Sequence, residues 1–179
     1  RLTPRQMVPL FMFPTRIEAE PFVRLCPDAE IVISGVGMAE TAATITHLSR
    51  EHRLDGREVV LCGIAGAYTL ELALGEVVEI CEECCVELPE RFRKVYRNTP
   101  RTRLRLATSN SVHRSGATPD GRDIENMEGA ALFALSEQLP FSATEIRAVS
   151  NYVGDDSSKW HIREATESLA QKLKENYNI

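Results

Sequence analysis

Ile146-Arg147-Ala148-Val149-Ser150-Asn151 decides how this chain is read: a largely apolar run that stops abruptly at a small hydroxyl and an amide. Upstream, Asn126-Met127-Glu128-Gly129-Ala130 sets a carboxylate ahead of Gly-Ala-Ala, a pattern that opens a helix. A buried strand ending in polar groups, beside a helix that opens with a carboxylate, is how an α/β domain builds a small-molecule site.

The rest of the chain alternates in the same way. Met7-Val8-Pro9-Leu10-Phe11-Met12-Phe13 reads as a first buried strand, made irregular by Pro9. A short helix is expected over 17–25, a strand over 30–34, and a helix over 38–53, where Ala42, Ile45 and Leu48 recur at helical spacing. Val59-Val60-Leu61-Cys62 is a third strand, closed by Gly63-Ile64-Ala65-Gly66-Ala67. Further β structure is expected over 74–85 and 104–108. A helix over 128–139, a strand over 143–150 and an amphipathic closing helix over 158–177 follow. This order predicts a three-layer α/β/α fold with a mixed, largely parallel sheet, in a single domain over 1–179. Residues 88–102, rich in Arg and Lys, read as a basic solvated helix, with a mobile loop over the site as the alternative.

Composition narrows the function. With 179 residues, 43% hydrophobic and 26% charged, the chain can bury a sizeable core. A formal net charge of -5 and the absence of basic runs interleaved with aromatics argue against nucleic acid as a partner. The apolar runs are shorter than the ~20 residues of a membrane helix, and no signal peptide is read at the start. Cys81, Cys84 and Cys85 invite a zinc reading, but Cys26 and Cys62 are isolated and form no second pair. The thiols are expected to be reduced, in a cytoplasmic protein with no metal.

Each assignable strand ends in something small or polar: Pro14-Thr15, Ser34-Gly35-Val36-Gly37, Gly63 to Gly66, Thr108-Ser109-Asn110 and Ser150-Asn151. Parallel strands would bring these ends to one edge. Gly35-x-Gly37 lacks the third glycine of a dinucleotide fingerprint, so a nicotinamide cofactor is rejected.

Pro14-Thr15-Arg16-Ile17-Glu18-Ala19, Ser34 to Met38, Gly63 to Ala67, Leu74-Gly75-Glu76-Val77-Val78, Asn126 to Ala131 and Arg147 to Asn151, in that order, resemble the purine nucleoside phosphorylase/nucleosidase superfamily. Ser150-Asn151-Tyr152-Val153 followed by Trp160, and Asn110-Ser111-Val112-His113, are most similar to its futalosine hydrolase branch, which serves menaquinone biosynthesis. The resemblance implies catalytic roles for Glu18, which activates the attacking water, Glu128, which binds the ribose hydroxyls, and Asn151, which meets the purine. It also implies that Gly37, Ala65, Gly66, Val112, Met127 and Ser150 bind substrate, that no metal or organic cofactor is needed, and that the protein is a homodimer or higher homo-oligomer.

The chemistry suits these residue types. Breaking an N-ribosidic bond builds positive charge on the sugar while the base leaves, so a base for water, polar contacts on the ribose and a partner for the purine are all required. Glu18 is preferred over Glu20, because Glu-Ala after Ile17 fits the motif. An Asn at 151, where adenine-specific relatives carry Asp, can donate to O6 of a 6-oxopurine and accept from N7–H. The expected substrate is therefore a 6-oxopurine nucleoside, futalosine first. The alternatives are a methylthioadenosine/S-adenosylhomocysteine nucleosidase, a purine nucleoside phosphorylase with Arg16 as the obvious phosphate ligand, and a catalytically silent nucleoside-binding protein. Trp160 is read as a packing residue at the start of the last helix. His113 is read as a residue outside the site, with a place bordering the ligand as the lesser alternative. Compression at 87–103 and 115–123 falls where relatives place a substrate-covering segment and a helix.

Overall fold

A computed structural model describes residues 1, 3, 8–116 and 121–179, and among them eight strands form one sheet. In chain order the elements are β1 (Leu10–Phe13), α1 (Arg16–Leu25), β2 (Ile31–Ile33), α2 (Met38–Arg50), β3 (Glu58–Ala67) and β4 (Val77–Cys84). They continue with β5 (Val95–Arg97), β6 (Arg105–Ser111), β7 (Ile124–Asn126), α3 (Gly129–Ser136), β8 (Ser142–Tyr152) and α4 (Ile162–Tyr177). Met7, expected to open the first strand, and residues 117–120 of the bridge before β7 lie outside the described residues.

The sheet is mixed and largely parallel. β2, β1, β3 and β8 run side by side in parallel. β8 then pairs antiparallel with β4, β4 parallel with β6, and β6 parallel with β7. β7 returns antiparallel onto the end of β3, through Gly66 opposite Glu125 and Ala67 opposite Ile124. Strands β3, β8, β4, β6 and β7 thus close into a ring, a feature that alternation of elements does not disclose.

Burial explains why β1 reads as an unbroken apolar run. Leu10 and Met12 face one layer, packed with Ile45, Leu48, Leu132 and Phe133 of α2 and α3. Phe11 and Phe13 face the other, packed with Phe22 of α1 and Leu169 of α4. A strand covered on both faces has no polar side to show. A third cluster, with Val78, Ile80, Ala107, Ile124 and Val149, fills the ring itself.

Several elements differ from expectation. β3 does not stop at Cys62 but runs through Gly63 and Gly66 to Ala67, paired along its length with β8. At Gly63 an added Cβ would lie 2.5 Å from Arg147 Nη1 and 3.0 Å from Glu18 Oε1, so the glycines mark close approach rather than a turn. β6 continues to Ser111, so Thr108-Ser109-Asn110 is not a strand end, and it runs antiparallel to β3 and β8 through β4. The basic segment holds a short 3-10 turn, Glu90–Phe92, and the edge strand β5. β7 has only three residues, too few for a periodic signal.

β8 carries one irregularity that matters. Ala65 pairs with Val149 and Gly66 with Asn151, leaving Ser150 as an extra residue, a β-bulge.

Candidate active site

A cavity of about 290 Å³ lies where β1 and β8 end and β7 hands over to α3. Its lining includes Glu18, Glu128 and Asn151, together with Ala65, Gly66, Val112, Met127 and Ser150. Gly37 is not on the wall. Its N–H supports the site from behind, donating to Glu128 Oε2 at 2.8 Å. Gly37 holds φ at 95° as the residue before α2, a conformation that favours glycine.

Glu18 owes its place to a local motif. Thr15-Arg16-Ile17-Glu18 is a capping-box sequence, and the Thr15 hydroxyl accepts from Glu18 N at 3.2 Å. The Glu18 carboxylate turns inward instead of closing the box. Oε1 accepts from Ile64 N at 3.0 Å and Oε2 from Thr15 Oγ1 at 2.7 Å. Burial pushes its pKa up from the ordinary carboxylate value, aided by Glu128 and opposed by those hydrogen bonds and by Arg147. Glu20 is exposed and faces Arg24 on the outer surface of α1.

Glu128 immediately precedes α3 but does not cap it. That task falls to Asn126, whose Oδ1 accepts from Glu128 N at 2.8 Å and Gly129 N at 2.7 Å. The Glu128 carboxylate is thereby released to bridge Gly37 and Arg147, whose Nη1 donates to Oε1 at 3.2 Å.

Arg147 is the residue that sequence reading passed over, because it sits inside an apolar run. It is 1% exposed and donates to Glu145 at 2.8 Å, Asn126 Oδ1 at 2.9 Å, Glu128 at 3.2 Å and Ile64 O at 3.3 Å. Burial works against its charge, but Glu145 and Glu128 outweigh it and raise its pKa above that of a free guanidinium. A buried Arg with several acidic neighbours is a detectable signal.

At the bulge, Ser150 and Asn151 both reach the cavity. Ser150 Oγ donates to Asn151 Oδ1 at 2.8 Å, and Asn151 Nδ2 donates to Tyr152 O at 3.2 Å. These bonds fix which way the amide faces. Trp160 stands two residues before α4, not in it, and lines the cavity. Glu125 is a further wall residue that sequence reading missed, held by Tyr68 Oη at 2.8 Å and Ser115 Oγ at 2.9 Å. His113 is exposed and is not among the residues lining the cavity.

No family model matches this chain. It is 27% identical over 210 residues to the futalosine hydrolase of Thermus thermophilus, an alignment covering 92% of this chain and 93% of that protein. In fold it is similar to the 5′-methylthioadenosine/S-adenosylhomocysteine nucleosidase of Helicobacter pylori, with TM-score 0.80 and 12% identity, covering 93% of this chain and 96% of that one. A futalosine hydrolase mutant of Helicobacter pylori gives TM-score 0.76 and 11% identity over 93% of this chain and 96% of that one. MTAN from Chlamydia trachomatis gives TM-score 0.78 and 17% identity over 95% and 97%. The chain thus has the nucleoside phosphorylase/nucleosidase-like fold, and in sequence it is similar to futalosine hydrolase.

Proposed function

We propose that the protein is a nucleoside hydrolase that cleaves the N-ribosidic bond of a 6-oxopurine nucleoside, with futalosine the foremost candidate. Hypoxanthine and dehypoxanthine futalosine are then the products, and menaquinone biosynthesis the pathway served. The observation that carries this reading is one cavity bounded by Glu18, Glu128 and Asn151, with Arg147 bonded to Glu128 and its charge acting on Glu18.

The ribose sits against Met127 with its hydroxyls on Glu128. Water is activated by Glu18, whose raised pKa makes it a stronger base than an ordinary carboxylate. As positive charge grows on the sugar, a negative carboxylate beneath it gains in strength, so its effect falls on the transition state. The Asn151 amide, with one N–H and one lone pair beyond those bound to Tyr152 and Ser150, pairs with O6 and N7–H of the departing base.

Hydrolysis is favoured over phosphorolysis by charge. Among the described residues, no Lys, Arg or His lines the cavity, and Arg16 is exposed outside it. Arg147 is already committed to Glu145, Glu128 and Asn126. Among the described residues of one chain, a phosphate dianion meets no cationic side chain on this wall.

Incubation with futalosine, methylthioadenosine and inosine, with and without phosphate, tests the reading by free base released. Hypoxanthine from futalosine in the absence of phosphate is expected. Strict phosphate dependence points to a phosphorylase. Adenine from methylthioadenosine points to the activity named for several of the fold's neighbours.

A further inference from the structure

Two carboxyl groups that the proposed chemistry does not use lie directly behind the site. Glu83 of β4 and Glu145 of β8 are wholly buried. They converge under the first residue of α3, where a Cβ added to Gly129 would overlap both carboxyl groups. Glu83 Oε1 accepts from Ser111 Oγ at 2.8 Å, and Oε2 accepts from Asn126 Nδ2 at 3.1 Å. Glu145 Oε2 accepts from Arg147 Nε at 2.8 Å. Among the described residues Glu145 Oε1 has no donor unless the Glu83 carboxyl supplies one.

Two adjacent, fully desolvated carboxylates cannot both ionise. The groups facing the pair are Arg147 from β8, Ser111 from β6, Asn126 from β7 and, beyond Arg147, Glu128 before α3. The cation bonds Glu145, so the proton belongs to Glu83. Burial, then the Glu145 charge, push the Glu83 carboxyl far above the usual range.

We propose that Glu83 and Glu145 act as one unit, a carboxylic acid donating to a carboxylate, whose single negative charge anchors Arg147 from behind and so fixes Glu128 toward the sugar. Both are positioning residues: neither lines the cavity. The consequence for catalysis rests on the nucleosidase reading, whereas the shared proton does not. The unit also accounts for a glycine at 129, since any side chain there would displace one carboxyl or the other.

Infrared spectroscopy of the purified protein at neutral pH tests the proton. A carboxylic C=O band is expected in the wild type, lost in Glu83→Gln and retained in Glu18→Gln, which separates it from the other buried carboxyl whose pKa is raised. Kinetics test the positioning. Glu83→Leu lowers kcat about tenfold or more, Glu83→Gln, whose amide still donates to Glu145, restores it to within about threefold, and Glu145→Gln lowers it about 100-fold with KM little changed. A folded Glu83→Gln protein that keeps the band overturns the shared proton, whatever substrate is cleaved. Equal losses in Glu83→Gln and Glu145→Gln overturn the single-charge anchor. Should Glu145→Gln not fold, the Glu83→Gln spectrum and its rescue of Glu83→Leu decide alone. A protein that shows the band but cleaves no nucleoside refutes the nucleosidase reading and leaves the proton assignment standing.

Discussion

Glu18 and Arg147 both approach the backbone of Gly63: a Cβ placed there would lie 3.0 Å from Glu18 Oε1 and 2.5 Å from Arg147 Nη1. The same Nη1 also donates to Glu128 at 3.2 Å. One guanidinium therefore acts electrostatically on two of the carboxylates that face the cavity, Glu18 and Glu128.

Glu18→Gln should remove the base and cut kcat by about 10²–10⁴-fold. Its effect on stability runs the other way. Burial raises the folded pKa of Glu18 above its unfolded value, so the acid form is favoured by folding. That contribution is present below the unfolded pKa and is lost as pH rises through the folded one. At neutral pH the variant should melt higher than the wild type, and a lower melting temperature would contradict the burial argument.

The rate itself should carry the same signature. Water activation needs Glu18 ionised, and its pKa is raised. The acid limb of kcat/KM should therefore fall at higher pH than an unperturbed Glu would give, and it should vanish in the residual activity of Glu18→Gln. A profile flat down to the ordinary carboxylate range would assign the base elsewhere.

Arg147→Met leaves Glu145 and Glu128 buried without a counter-charge. Breaking such a pair costs about 3–5 kcal/mol. Arg147→Lys keeps the charge but loses the fork that spans Glu145, Asn126 and Glu128, so it should recover stability more than activity. Denaturant titration beside kcat separates the two.

Asn151→Asp should lower kcat/KM on a 6-oxopurine nucleoside by about 10³-fold, because a carboxylate facing O6 sets acceptor against acceptor. Glu128→Gln is the control, depressing every nucleoside alike by weakening the sugar contact. If Asn151→Asp stays within a few-fold on futalosine, the amide does not read the base.

We extend the proposal to the assembly, a homodimer or higher homo-oligomer. Ile17 and Val36 line the cavity yet are 68% and 49% exposed, apolar surface suited to a second subunit. Of the apolar residues from 68 to 74, Leu70 is 82% exposed, whereas Leu72 is core at 1%. Light scattering at micromolar concentration should report at least twice the chain mass, and a fully active monomer would remove this claim.

Much of the fold was legible because its signals are local. The β1 run, the spacing of Ala42, Ile45 and Leu48, and the polar ends at Ser34 and Ser150 depend on neighbours in sequence. Ring closure depends on β7, three residues long, finding the far end of β3. Nothing within Ile124-Glu125-Asn126 announces that partner. In the site, Glu18, Glu128 and Asn151 stand at element ends, where polar residues draw notice. Arg147 and Glu145 were hidden because alternation along β8 sends them beneath α3, while Ile146 and Ala148 supply the apolar pattern that dominates the reading. Trp160 was misplaced because the helical pattern of α4 was extended back over a 3-10 turn, Ser157–Lys159, that precedes it.

The bulge at Ser150 divides the labour of the pocket. The groups proposed for bond cleavage, Glu18 and Glu128, stand at the starts of α1 and α3, where a shift of one residue would undo the caps. Ser150 and Asn151 sit on the one stretch of β8 already out of step with β3. On the proposed reading, substitutions there would alter the contact with the departing base while the strand ladder and the ion pairs stay in place. A change of leaving base would then need only local adjustment at the bulge and not a new scaffold.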